Sequence, residues 1–185
     1  MKVNQPSDAE TSRRAAAETS LTSGAEAPSL VIRFFERFPP ATAAGRIRYA
    51  EALAASGRRS EANEQARRAW RSGALRPTDE SAVLSGFPGA LTPADHDARM
   101  DALLWQDART AAARQIAYTS PQNRPLFEAR LAMQSNWPDA QTKAASVEAM
   151  GARDPGFIAD RAMWFRNNGG SGSARSLLAR PRSLA

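Results

Sequence analysis

Leu91-Thr92-Pro93-Ala94-Asp95-His96-Asp97-Ala98-Arg99-Met100-Asp101-Ala102-Leu103-Leu104-Trp105 is the stretch that decides the fold class. Thr92 can cap a helix whose first position is Pro93, where the missing N–H costs nothing. Asp95 then sits in the first turn, where a negative charge is favoured, and one turn ahead of Arg99. Met100, Leu103 and Leu104 give the later turns an apolar side, and Trp105 closes the run with a large ring. The stretch reads as a scaffold helix without a reactive constellation, so function depends on what the scaffold carries.

The rest of the chain has the same texture. Its 185 residues suffice for one domain or one repeat array. They are rich in Ala, Arg, Leu and Glu, several segments have helical periodicity, and none alternates over strand length, so the expected class is all-α. With no Cys and a single His, neither a disulfide framework nor an ordinary zinc site can be assembled, and no cofactor is expected. The net charge is +6, carried almost wholly by Arg, since Lys occurs only at positions 2 and 143. Such a balance suits an anionic polymer or surface, but Arg also favours helices and covers apolar surface with its stem. No apolar run reaches the roughly 20 residues of a membrane span, and Met1 to Asp8 lack the apolar core of a secretory signal.

Residues 1–27 are polar and poor in large apolar side chains, and are expected to form a disordered lead. Residues 28–185 are expected to form one α-superhelical repeat domain. Val31, Phe34, Phe35 and Phe38 predict a core helix stopped by Pro39-Pro40. Ala43, Ile47, Ala50 and Ala54 form a second stripe ended by Gly57, and Ala62, Ala66, Ala69 and Trp70 a third ended by Gly73. This hairpin resembles a tetratricopeptide unit, with small residues at the helix contact, although the Trp-Leu-Gly start of that repeat is missing. Thr78 to Glu80 predict a short helix broken at Gly86-Phe87-Pro88-Gly89. Further helices are predicted over about 108–118, through Leu126 to Met133, over about 139–150, 157–166 and 174–179. Ser120-Pro121 and Asp154-Pro155 repeat the cap-then-proline device of Thr92-Pro93. Stacked pairs of this kind build a tetratricopeptide-like α-superhelix.

Three runs carry a family resemblance: Arg48-Tyr49-Ala50-Glu51-Ala52-Leu53-Ala54, Ala66-Arg67-Arg68-Ala69-Trp70-Arg71, and the Leu91 to Trp105 stretch. Together they resemble the helical superhelix region of soluble lytic murein transglycosylases, from about Leu30 onward, with the third run the specific part. The resemblance implies a doughnut-like body, peptidoglycan glycan strands as partner and a periplasmic location, although no signal peptide is present in this chain. In that family a separate goose-lysozyme-like domain cleaves the glycan with 1,6-anhydro ring closure, through a glutamate in a Glu-Ser-x-aromatic motif followed by Gly-Leu-Met-Gln. Glu80-Ser81-Ala82-Val83 has Val where the aromatic belongs and no Gly-Leu-Met-Gln after it, so Glu80 reads as a first-turn carboxylate. No catalytic residue is assigned, and whether the chain is an enzyme is left open. An internal fragment, a truncated reading frame or a stand-alone helical relative is expected.

Other candidates follow from residue type. His96 between Asp95 and Asp97 does not make a catalytic pair, because adjacent helical residues do not face each other. Trp70, Trp105, Trp137 and Trp164 could stack on sugar rings, but at helix-packing positions a core role is the simpler expectation. Arg58, Arg59, Arg67, Arg68 and Arg71 could line a surface facing a glycan or a protein partner, or form a solvated helix face. The leading function is the non-catalytic superhelical module of a lytic transglycosylase. The alternative is an independent tetratricopeptide-like scaffold that takes a protein partner in its concave groove. A nucleic-acid binder stands third, since no recognised nucleic-acid module is present.

Overall fold

The computed structural model describes residues 12–13, 16–18, 20–21 and 26–179, all in helices, turns and connecting segments, with no strand among them. The chain divides into two compact units, residues 1–92 and 93–185. The first holds α1 (Pro28–Arg37), α2 (Ala43–Ala55), α3 (Arg59–Arg71) and α4 (Pro77–Gly86). The second holds α5 (Pro93–Trp105), α6 (Arg109–Gln115) with a 3-10 turn at Ile116–Tyr118, α7 (Arg124–Gln134), α8 (Ala140–Ser146), α9 (Glu148–Gly151), α10 (Pro155–Asn167) and α11 (Ser171–Leu178). All-α is therefore the class.

In the first unit the core runs from Val31, Ile32 and Phe35 through Ile47, Tyr49, Ala50 and Leu53 to Ala62, Ala66, Ala69 and Trp70, and on to Val83 and Phe87. Alanines at 62, 66 and 69 are fully buried and let α3 lie close against its neighbours. Phe38 departs from the expected stripe: α1 ends at Arg37, and Phe38 takes an extended conformation ahead of the two prolines. Most of residues 1–27 lie outside the described residues. Glu18, which falls in that lead, is helical and buried, and its carboxylate accepts from Ala41 N at 2.6 Å and Thr42 N at 3.0 Å. Thr42 in turn caps α2 by accepting from Gly45 N at 2.9 Å.

One turn recurs. After α2 the chain turns through Gly57 at φ +79°, with Arg58 N donating to Leu53 O at 2.9 Å. After α5, Asp107 takes φ +54° and Ala108 N donates to Leu103 O at 2.9 Å. Asn136 at φ +50° and Gly169 at φ +80° do the same after α7 and α10, with Trp137 N to Ala132 O at 3.0 Å and Gly170 N to Phe165 O at 2.7 Å. Each is a Schellman turn, which satisfies orphan carbonyls and folds the next helix back. The helices predicted over 157–166 and 174–179 are thus joined by a tight turn through Asn168 to Gly170, and α11 begins at Ser171.

Two other boundaries moved for visible reasons. Ser120 does not cap α7, because its N–H and hydroxyl both donate to the Asp97 carboxylate, at 2.8 and 2.6 Å, and the helix starts at Arg124. The helix expected over 139–150 breaks at Val147, whose φ of −115° separates α8 from α9. Asp154 behaves as expected, accepting from Phe157 N at 2.6 Å ahead of Pro155.

The left-handed turns give a direct test. A Cβ at Gly57 meets nothing within 4 Å, so Gly57→Ala is penalised by backbone strain alone. It should lower the unfolding free energy by about 1 kcal/mol, and Gly57→Asn by less, because Asn tolerates this conformation. Equal urea midpoints for the three proteins would contradict the turn.

Candidate functional site

Where the C-terminal ends of α5, α7 and α10 meet, the second unit has a groove of about 550 Å³. Trp105 stands at its edge with 57% of its surface exposed. Asp107 and Arg109 follow from the first turn, Gln134 and Asn136 from the second, and Asp160, Met163, Trp164, Asn167 and Asn168 from α10 and the third. Aspartate and asparagine occupy these positions partly because they enter the left-handed region at low cost, as at Asp107 and Asn136. The turn chemistry therefore delivers polar side chains to one place.

The wall of the groove is organised by Arg130. This side chain is 1% exposed, and its Nε donates to Asp160 Oδ2 at 2.8 Å while Nη1 donates to Asp101 Oδ1 at 2.5 Å. The guanidinium carbon lies 5.6 Å from the centre of the Trp105 ring, a cation–π contact that steadies the indole. Gly156 gives it room, since a Cβ there would overlap the guanidinium. Gln134 Nε2 donates to Leu104 O at 3.0 Å and to Asp160 Oδ1 at 2.9 Å, so both carboxylate oxygens of Asp160 are held.

Burial, the largest influence on both members of the pair, opposes charge on each. At Arg130 the hydrogen bonds to Asp160 and Asp101 outweigh it and keep the guanidinium charged; at Asp160 burial prevails and pushes the carboxyl above its ordinary range. Asp107 is held low by the hydrogen bonds from Arg109, at 2.7 and 2.8 Å. The groove's charges are thus internally paired. Two buried atoms along it have no hydrogen-bond partner among the described residues: the Gln134 Oε1 acceptor and the Trp164 Nε1 donor.

The arginines singled out from the sequence belong to the first unit, whereas the groove is built by residues of the second. Arg58 donates to Glu61 at 2.6 and 2.7 Å and to Glu36 at 2.7 Å. Arg67 and Arg68 share Glu64, and Arg67 also reaches Ala90 O at 3.2 Å. Arg59 and Arg71 are exposed on the same helix. Exposed pairs of this kind contribute little stability each, but they commit Arg58, Arg67 and Arg68 to local carboxylates.

The tryptophans divide. Trp70 is 1% exposed and belongs to the core, whereas Trp105 and Trp137 are largely exposed, which corrects the expectation that all four are core. Trp164 is half-buried against Phe165 and lines the groove. His96 stacks on Tyr118 at 5.5 Å with its Nδ1 3.3 Å from Gln115 Nε2, and burial holds its pKa below the ordinary value. Glu80 lies in the first turn of α4, as expected. Among the described residues no group of His, Cys, Asp and Glu could hold a metal ion, and no helix is long and apolar enough to cross a membrane. The polar residues at Asp107, Gln134, Asn136, Asp160 and Asn168 were missed by sequence reading.

Compared with family models, curated proteins and solved structures, the chain matches none.

Arg130→Met leaves Asp160 and Asp101 facing a buried apolar stem, and should cost about 3–5 kcal/mol in urea unfolding, as breaking a buried ion pair does. Gly156→Ala should also destabilise by crowding the guanidinium, whereas Gly172→Ala, with nothing near its Cβ, should be neutral or stabilising. A neutral Gly156→Ala would contradict the packing of Arg130.

Proposed function

We propose that the chain is a non-catalytic helical module that holds a saccharide strand in the Trp105 groove, the part that a superhelical body would play in a peptidoglycan lytic transglycosylase. The observation that carries the reading is the pairing of an exposed indole with planar amides and carboxylates. Sugar rings offer apolar C–H faces to an aromatic ring and hydroxyls to groups such as Asn136, Asn167, Asn168 and Asp107. Because the acids and Arg109 are internally paired, the lining favours an uncharged ligand portion over a free ion. Cleavage is assigned to a separate domain, as in the family resembled, because the groove's buried carboxyl, Asp160, has both oxygens committed to Arg130 and Gln134.

The turns at Asp107, Asn136 and Gly169 recur after 29 and then 33 residues, the second close to and the first short of the roughly 34-residue tetratricopeptide period, and this recurrence supports a stacked-hairpin architecture. The same feature favours a second reading, a tetratricopeptide-like scaffold for a protein partner. A periplasmic site of action goes with the glycan reading alone.

The test is co-sedimentation with purified sacculi, with the supernatant analysed by mass spectrometry. The chain should pellet with sacculi and release no 1,6-anhydromuramyl products, and Trp105→Ala should weaken binding about tenfold, the effect of losing one stacked aromatic. A chain that stays in the supernatant, or that releases such products, would overturn the proposal.

A further inference from the structure

α10 has a second groove on its other flank, against α11, of about 390 Å³. Its floor is made by the buried Ala162 and Ala174, with Ala159 exposed beside them and Met163 and Leu178 half exposed along it. Arg166 and Arg175 stand at its edges. Neither has a carboxylate within ion-pair distance among the described residues; Arg166 Nη2 lies 2.7 Å from Met163 Sδ instead. That contrasts with Arg58, Arg67, Arg68, Arg76 and Arg109, each of which is locally paired. The terminal hairpin thus offers an apolar trough with two positive charges that no carboxylate among the described residues pairs.

We propose that this trough docks an amphipathic helix of a partner protein, with its apolar stripe on the alanine floor and acidic residues beside the stripe facing Arg166 and Arg175. Three features select this occupant. Alanine at 159, 162 and 174 allows a third backbone to approach two helices closely, the condition for packing side-chain ridges into a groove. An extended peptide has no strand edge to join among the described residues. The charge at the edges selects against a second copy of this chain, whose net charge is +6. A nucleic acid would use the arginines but would leave the apolar floor unfilled.

The proposal does not depend on the glycan reading, because the two grooves share only Ala159 and Met163 and can be changed separately. The experiment uses the full chain and two labelled helical model peptides with the same leucine stripe, one flanked by Glu and one by Lys, in fluorescence anisotropy. The Glu peptide should bind, more weakly as salt rises, and at least tenfold more tightly than the Lys peptide. Arg166→Glu with Arg175→Glu should reverse that preference, and Leu178→Asp, at an exposed position, should weaken both peptides. Circular dichroism should be unchanged in each variant, and the charge-reversed protein should still pellet with sacculi if the wild type does. No preference between the peptides, equal competition by a short DNA duplex, or self-association abolished by the double reversal would each overturn the proposal.

Discussion

The second unit depends on one buried guanidinium. Arg130 reaches Asp101 on α5 and Asp160 on α10 from its own place on α7, so a single side chain fixes three helices at the end where they converge. Arginine suits this position because its planar fork can donate in several directions at once and it stays charged when buried. Lysine would keep the charge but could not hold two carboxylates and stack beside Trp105 with one rigid plane. The desolvation cost is large, and it is offset only because both acids accept hydrogen bonds from it.

That constraint explains the form of the groove. With Asp160 held by Arg130 and Gln134, and Trp105 steadied by the guanidinium, the lining is preorganised, so a ligand need not order it. The same theme recurs at Arg161 on α10, which is buried, donates to Gln141 at 2.9 Å and lies 4.5 Å from the centre of the Phe165 ring. Arg99, also buried, occupies the matching place on α5. Part of the chain's arginine content is thus interior, and the basic balance says less about partners than its size suggests. The exposed arginines that no described carboxylate pairs are the informative ones.

Much of the fold was legible because apolar spacing and turn glycines report local physics. Val31 and Phe35, the alanine stripe of α3, Gly57, Gly73 and the Asp154-Pro155 cap all sit where periodicity and capping place them. The site was less legible. Asp107 and Asn136 form the same turn as Gly57, but nothing in a single sequence says that an aspartate will adopt a positive φ. Arg130, Asp101 and Asp160 are brought together by tertiary packing across about 30 residues, which no local pattern encodes. Trp105 looked like a core residue because it ends an apolar run, yet the helix terminates there and the ring turns to solvent.

The central claim is that the groove beside Arg130 takes a saccharide on its indole faces. The chain has four tryptophans, so four indole N–H signals are available to nuclear magnetic resonance during titration with an N-acetylglucosamine oligomer. Those of Trp105 and Trp164 should shift in a saturable way, while those of buried Trp70 and of Trp137, which does not line the groove, stay in place. No shift at Trp105 and Trp164, or equal shifts at all four, would contradict the account.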